Sequence, residues 1–212
     1  KDLSIEYAKL IAPYIGPWND VPAPDVTTDG QIMSWMLEAY EKKTGMLAPA
    51  TFTGKPIELG GSLGRTEATG QGGVYVLDAY VKSKKLNAKS STVAVQGFGN
   101  VGYYFAKIAK DLGFNVVAVS DSSSGLYNSK GLDIEAIAKF KESGIALKAW
   151  PLKQGEKLIT NEELLELPVT VLVPAALENS ITKENMEIIS VKVVFEMANG
   201  PTTSEADAYL HE

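Results

Sequence analysis

The chain has no cysteine and one histidine, His211, next to its last residue. Without thiols there are no disulfides and no thiolate metal site, which fits a reducing, cytoplasmic setting. A single histidine argues against a multi-histidine metal centre and against a Ser-His-Asp triad, so no metal is expected. Acid–base chemistry then falls to Asp, Glu, Lys or Tyr. A basic surplus is missing too. The 20 Lys and Arg stand against 26 Asp and Glu, a formal charge of −6, and no basic run occurs. Nucleic acid and anionic membrane are therefore poor partners. No apolar stretch approaches the roughly 18 residues a membrane-spanning helix needs.

What is present is an ordinary globular mixture, 45% hydrophobic and 22% charged over 212 residues, enough for one large domain or one and a half. The densest signal runs from Ser91 to Asp121. Thr92, Val93, Ala94 and Val95 read as a buried strand. Gly97-Phe98-Gly99-Asn100-Val101-Gly102 follows as a complete G-x-G-x-x-G. A helical pattern then places Val101, Phe105, Ile108, Ala109 and Leu112 on one face and stops at Gly113. A second strand, 115–120, ends at Asp121. In this setting Gly97 allows a tight turn, Gly99 lets a pyrophosphate approach the backbone, and Gly102 lets the helix lie close on the sheet. The helix start offers unpaired N–H groups to the phosphates, and Asp121 is placed to accept from ribose hydroxyls. A lone glycine fingerprint often marks only a turn. Here strand, glycines, helix, second strand and acid come in the order a dinucleotide site requires.

The rest of the chain supports an α/β, Rossmann-type doubly wound architecture: a mainly parallel sheet with helices on both faces. A helical remnant of a second domain is expected before it. Residues 1–19 read as a helix with Leu3, Tyr7, Leu10 and Ile11 in register. Two prolines then extend the backbone and present Asp25. Asp25 reads equally as a turn residue or a cap, but Thr28 or Asp29 is the better cap for the helix expected over 31–43. Its packing face is read as Ile32, Trp35, Met36 and Ala39. The stretch 53–70 carries Gly54, Gly60, Gly61, Gly64 and Gly70 among Lys, Arg, Glu and Thr. That composition suits a loop bringing backbone near a ligand better than a flexible linker. A helix over 68–83 follows, with Ala68, Val74, Leu77, Ala79, Tyr80 and Val81 toward the sheet. Past the fingerprint, strands are expected near 126–127, 158–159, 169–173 and 191–196. Helices are expected at 134–143, after an Asn161 cap, at 181–189 and at 204–212. Strand ends at Gly97, Asp121, Ala175 and Asn199 would then share one sheet rim, where ligands of such folds collect. The first domain is expected over 1–50 and the dinucleotide domain over 51–212. Both ends read as cut, so a piece of a longer protein is expected.

The strings PAPDV, TGKPxxxGGSxGRxEATG, VQGFGNVG, SDSSSG, PAALEN and ANGPTT, in this order, resemble the glutamate dehydrogenase family across essentially the whole chain. The resemblance implies reversible oxidative deamination of L-glutamate to 2-oxoglutarate and ammonia with NAD or NADP, by a homohexamer when full length. It implies that Asp25 is the catalytic acid and that Arg65 lies in the loop lining the substrate cleft. Thr69 would contact the cofactor near its nicotinamide end. Gly97, Phe98, Gly99, Asn100, Val101 and Gly102 would form the pyrophosphate cradle. Asp121 would be the ribose acceptor, with Ser122 beside it. Ala175 and Ala176 would wall the cofactor, and Asn199 would touch the nicotinamide ribose. Asp121 favours NAD, since a carboxylate repels a 2′-phosphate, while Ser122 and Ser123 leave NADP open. A dehydrogenase of another amino acid, of the leucine, phenylalanine or valine type, and a non-catalytic nucleotide-sensing module remain alternatives. The family's substrate lysines belong to a segment upstream of PAPDV, before Lys1. The resemblance therefore predicts that the 212-residue chain alone binds a nicotinamide dinucleotide but turns over no glutamate. Steady-state rates near those of an intact enzyme would overturn that.

Overall fold

The computed structural model describes residues 1–25 and 27–211 and forms two compact units, Lys1–Thr66 and Glu67–Glu212. The glycine-rich stretch up to Thr66 therefore belongs to the first unit, where the sequence grouped everything after residue 50 with the second.

In the first unit, α1 (Asp2–Ile11) passes into a single 3-10 turn at Ala12–Tyr14. The helix expected over 1–19 is cut short because Pro13 enters the 3-10 turn at its first positions, where a missing N–H costs nothing. α2 (Gly30–Thr44) opens on Asp29, whose carboxylate accepts from Ile32 N at 2.9 Å, and closes on Gly45 at φ +73. Its buried face is Met33, Met36, Leu37, Ala39 and Tyr40, while Ile32 and Trp35 are only half-buried. α1 presents Ala8 and Ala12 to the core, with Leu3, Tyr7 and Leu10 turned outward. Of the apolar repeat expected to mark its packing face, Ile11 does pack against this core, while the other three members lie on the opposite side. Alanines let the two helix backbones approach, which larger side chains would prevent. Phe52 completes this core and meets Tyr40 edge-on at 6.0 Å.

The second unit is one six-stranded sheet. Its strands are β1 (Thr92–Gln96), β2 (Asn115–Ser120), β3 (Gly125–Tyr127), β4 (Lys157–Ile159), β5 (Val171–Pro174) and β6 (Val193–Val194), in spatial order β4-β3-β2-β1-β5-β6. β1, β2, β5 and β6 run parallel, as expected for a doubly wound sheet. β3 alone runs against them, antiparallel to β2 on one side and to β4 on the other, so β4 points the same way as β2. The reason is the length of the β2–β3 link: Asp121 N–H donates to Ser124 O at 3.0 Å, closing a turn too short for the crossover that parallel pairing needs. β1 and β5 alternate strictly, while β2 breaks step at Val117 and Ala118, where its pairing with β1 shifts register. Val93, Val95, Val116, Val119, Val171 and Val173 face α3 (Ala68–Ser83), α4 (Asn100–Asp111) and α5 (Ile134–Lys141). Ala94, Val117, Leu172 and Ala118 face α6 (Asn161–Leu165) and α7 (Ser204–Leu210). Both faces are thereby covered.

Three local expectations are corrected here. Thr160, not Asn161, caps α6, in a capping box with Glu163. No α-helix forms over 181–189. Asn185 accepts from Thr182 N at 2.8 Å and donates to Ser180 O at 2.9 Å, drawing those backbone groups into a turn, and only a 3-10 turn at Met186–Ile188 follows. On α3, Val74, Leu77 and Val81 are buried, whereas Ala68, Ala79 and Tyr80 are exposed. Among the described residues no helix is long and apolar enough to cross a membrane.

α3 reaches α4 through Gly70: a β-carbon there would lie 2.7 Å from both Phe105 N and Tyr104 Cβ. Both atoms belong to a helix backbone or its root, so they give way poorly. Gly70→Ala is expected to destabilise the second unit by about 1–3 kcal/mol, read as a lower denaturation midpoint at unchanged m-value. An unchanged midpoint would show that the helices slide apart freely.

Candidate functional site

The chain leaves β1 for β2 on one side of the sheet and returns to β5 on the other, so a crevice opens beyond the carboxyl ends of β1 and β5. A cavity of about 810 Å³ occupies that crevice. The end of β1 contributes Gln96, Gly97, Phe98 and Gly99, the end of β2 Ser120, Asp121 and Ser122, and the end of β5 Ala175, Ala176 and Leu177. Lys141, Asn161 and Ser180 close the rim.

The glycines divide by what forces them. Gly97 sits at φ +97, and a β-carbon on it would come within 2.9 Å of Ala175 O and Ala176 Cβ. Gly102 lies against the turn itself, where a β-carbon would fall 2.0 Å from Gly97 O. These two are glycine because the protein packs on them. Gly99 is different. Its φ of −83 suits any residue, and a β-carbon there would meet nothing within 4 Å. The space it leaves lies over the start of α4, where no side chain caps the helix, so the N–H groups of the first turn remain available to an anion. The turn is locked from below by Ser120, whose Oγ accepts from Gly97 N at 3.2 Å. Gln96 contributes a buried Oε1 with no hydrogen-bond partner at the cavity wall.

Asp121 is the charged group at the far end. Its Oδ1 accepts from Ser123 N at 2.8 Å and Ser123 Oγ at 2.5 Å, and its Oδ2 from Leu147 N at 2.9 Å and from Lys141. Burial pushes this carboxyl up, but the hydrogen bonds from Lys141, Ser123 and Leu147 outweigh it and hold the group well below the usual carboxylate range. The expected ribose acceptor is thus also the organiser of its own loop, paired with a lysine that shares the cavity. Asn161 adds a bond from Nδ2 to Asp121 O at 3.0 Å.

The structure brings Gly97, Phe98, Gly99, Asp121, Ser122, Ala175 and Ala176 together around this cavity, with Asn100, Val101 and Gly102 forming the first turn beneath it. Thr69, in the first turn of α3, and Asn199 are exposed and outside the cavity lining. The Asn199 loop is tied to the rim by backbone bonds from Asn179 N to Gly200 O at 3.0 Å and from Ile181 N to Pro201 O at 2.8 Å. Asp25 and Arg65 belong to the first unit. Asp25 stands in a turn stapled by Thr28, whose Oγ1 accepts from Asp25 N at 2.6 Å. Arg65 is exposed on the glycine-rich loop. Sequence reasoning missed Gln96 and Ser120, although each directly precedes a strand end already singled out. It also missed Lys141 and Asn161, which reach the cavity through the tertiary fold and carry no local signal.

The profile of the Glutamate/Leucine/Phenylalanine/Valine dehydrogenase family matches residues 60–212, and the dimerisation-domain profile of the same group matches residues 1–42. The chain belongs to this family. It is 48% identical to a glutamate dehydrogenase of Thermotoga maritima over 98% of its length, covering 50% of that protein. It is 44% identical to the cryptic catabolic NAD-specific glutamate dehydrogenase GudB of Bacillus subtilis over 99% of its length, covering 48% of that protein. The crystal structure of a hetero-hexameric glutamate dehydrogenase from Thermus thermophilus, in its Leu-bound form, superposes with a TM-score of 0.90 at 35% identity. That match takes in 99% of this chain and 49% of the other. The chain thus spans about half the length of the relatives it matches.

A lowered carboxyl contributes stability that is present above its unfolded value of about 3.9 and is lost as pH falls toward the folded one. The Asp121→Asn variant is therefore expected to be less stable than the parent by a constant margin at neutral pH. The margin should narrow below about pH 4. Denaturant titrations across that range check it, and a margin independent of pH would remove the ion pair from the account.

Proposed function

We propose that this chain carries the dinucleotide domain and part of the substrate and oligomerisation domain of an NAD(P)-dependent glutamate dehydrogenase. The reaction is the reversible conversion of L-glutamate to 2-oxoglutarate and ammonia. The observation that carries the reading is Gly99: neither backbone nor packing asks for glycine there, and the space it leaves opens over an uncapped helix start. A pyrophosphate uses that space. Glutamate is favoured over leucine, phenylalanine or valine because the relatives at 44–48% identity are glutamate dehydrogenases. A non-catalytic sensor has no use for an acid on a stapled, proline-flanked loop. The full-length protein is read as a cytoplasmic homohexamer, in line with the dimerisation-domain match and the hexameric neighbour.

A nicotinamide held there would supply the hydride acceptor and donor for the reaction at the α-carbon. The residues of the chain do the rest. Gly97, Gly99 and the first turn of α4 hold the pyrophosphate, Ala175 and Ala176 exclude water beside it, and Ser122 and Asp121 meet the adenosine ribose. Thr69 and Asn199 are assigned to the nicotinamide end and Arg65 to the substrate. Asp25 moves protons at the amino nitrogen and at the attacking water. Cofactor choice rests on the Asp121–Lys141 pair. The carboxylate disfavours a 2′-phosphate while neutralising the lysine that would hold one, so NAD is preferred and NADP is accommodated.

In the full-length protein, Asp25→Asn should lower kcat by about 10²- to 10⁴-fold and leave the cofactor Kd unchanged. Near-parental turnover would refute the assignment. Asp121→Ala should weaken NAD more than NADP by calorimetry, because it removes the ribose acceptor and releases Lys141. Equal losses would leave Asp121 a purely structural group.

A further inference from the structure

The stretch after α2 takes up a position that its glycine content alone does not explain. Thr53 N–H donates to Pro22 O at 3.0 Å, which hangs the start of the PAPD loop on the residue before Gly54. Gly54, at φ +69, lies flat against the Pro24 ring: a β-carbon there would fall 2.5 Å from both Cδ and Cγ. On its other side Gly54 touches the first residue of α2, since a β-carbon on Gly30 would lie 3.0 Å from Gly54 O. One peptide is therefore wedged between the proline that precedes Asp25 and the helix that follows it. The wedge is anchored inward by Lys55, a buried lysine whose Nζ donates to Phe52 O at 2.8 Å, and Phe52 is 1% exposed in the core of the unit. The loop it braces is strained, with the β-branched Thr27 at φ +63, a conformation that persists only where surrounding packing dictates it.

We infer that Gly54, wedged against the ring of Pro24, is a positioning residue that fixes Asp25 for proton transfer. The inference rests on the catalytic reading of Asp25 given above. The Lys55 ammonium is turned into the core to hold the wedge. Any β-carbon at position 54 must push Pro24 aside, and Pro24 is bonded directly to Asp25, so the displacement reaches the carboxylate undiluted. Turnover is sensitive to such shifts, while binding of glutamate and cofactor by other groups is not.

The test uses the full-length protein and four variants: Asp25→Asn, Gly54→Ala, Pro24→Ala and the Pro24→Ala/Gly54→Ala double. Gly54→Ala should lower kcat about ten- to a hundredfold, with the glutamate KM and cofactor Kd held within about twofold. Pro24→Ala, which removes the ring and leaves slack over Gly54, should lower kcat in the same pattern with little change in melting temperature. The double variant should turn over faster than the product of the two single losses, because the new methyl occupies the space of the missing ring. Parental kcat in Gly54→Ala or Pro24→Ala, whatever the change in stability, overturns the inference. So do losses that simply multiply in the double variant. If Asp25→Asn keeps parental turnover, the catalytic reading falls instead. If it is inactive while Gly54→Ala is unaffected, the brace alone falls. Should Gly54→Ala fail to fold, the Pro24→Ala kcat decides.

Discussion

The close approach of Gly102 to the carbonyl of Gly97 fixes more of this molecule than any other contact. It holds the first turn of α4 against the end of β1, so the helix axis points into the crevice. From that one constraint the uncapped N–H groups acquire a direction, and Ala175 acquires its place beside Gly97 through the bond from its N–H to Gln96 O at 2.8 Å. The field at a helix start falls off within a turn, so a small rotation of α4 would empty the site of its electrostatics. The apolar packing of Phe105, Ala106 and Ala109 against the sheet keeps that rotation from happening.

The second organising element is the charge balance where the end of β2 meets the crevice. A carboxylate so depressed, in a loop where it binds three backbone N–H groups and a lysine, is a structural anion first. Its pairing with Lys141 offsets its charge at the crevice wall, so the two act as a unit and the acid is not an isolated anion.

The glycine fingerprint, the β1 and β2 strands, α3, α4 and the crevice-side placement of Ala175 were legible in the sequence, because each rests on local chemistry: strand periodicity, turn glycines and helix caps. What was not legible depended on tertiary competition. The Leu3, Tyr7, Leu10 repeat has helical period, but period alone cannot say which side of a helix faces the core, and the closer approach allowed by Ala8 and Ala12 decided it. The 181–189 stretch has helical propensity, yet Asn185 captures its neighbours' backbone groups first. The antiparallel β3 was hidden because strand spacing does not state direction. Lys141 and Asn161 reach the cavity from distant elements, and Gln96 looked like an ordinary strand-end residue. Among the described residues no acid–histidine cluster able to hold a metal ion occurs.

The rim of the crevice between β5 and α7 is tied from Asn179 to Gly200 and from Ile181 to Pro201 by main-chain bonds alone. The hydrogen bonds of such a seam belong to peptide groups, so exposed side chains beside it, such as Leu177 and Glu178, can change while buried Ile181 and the main chain keep the edge in place.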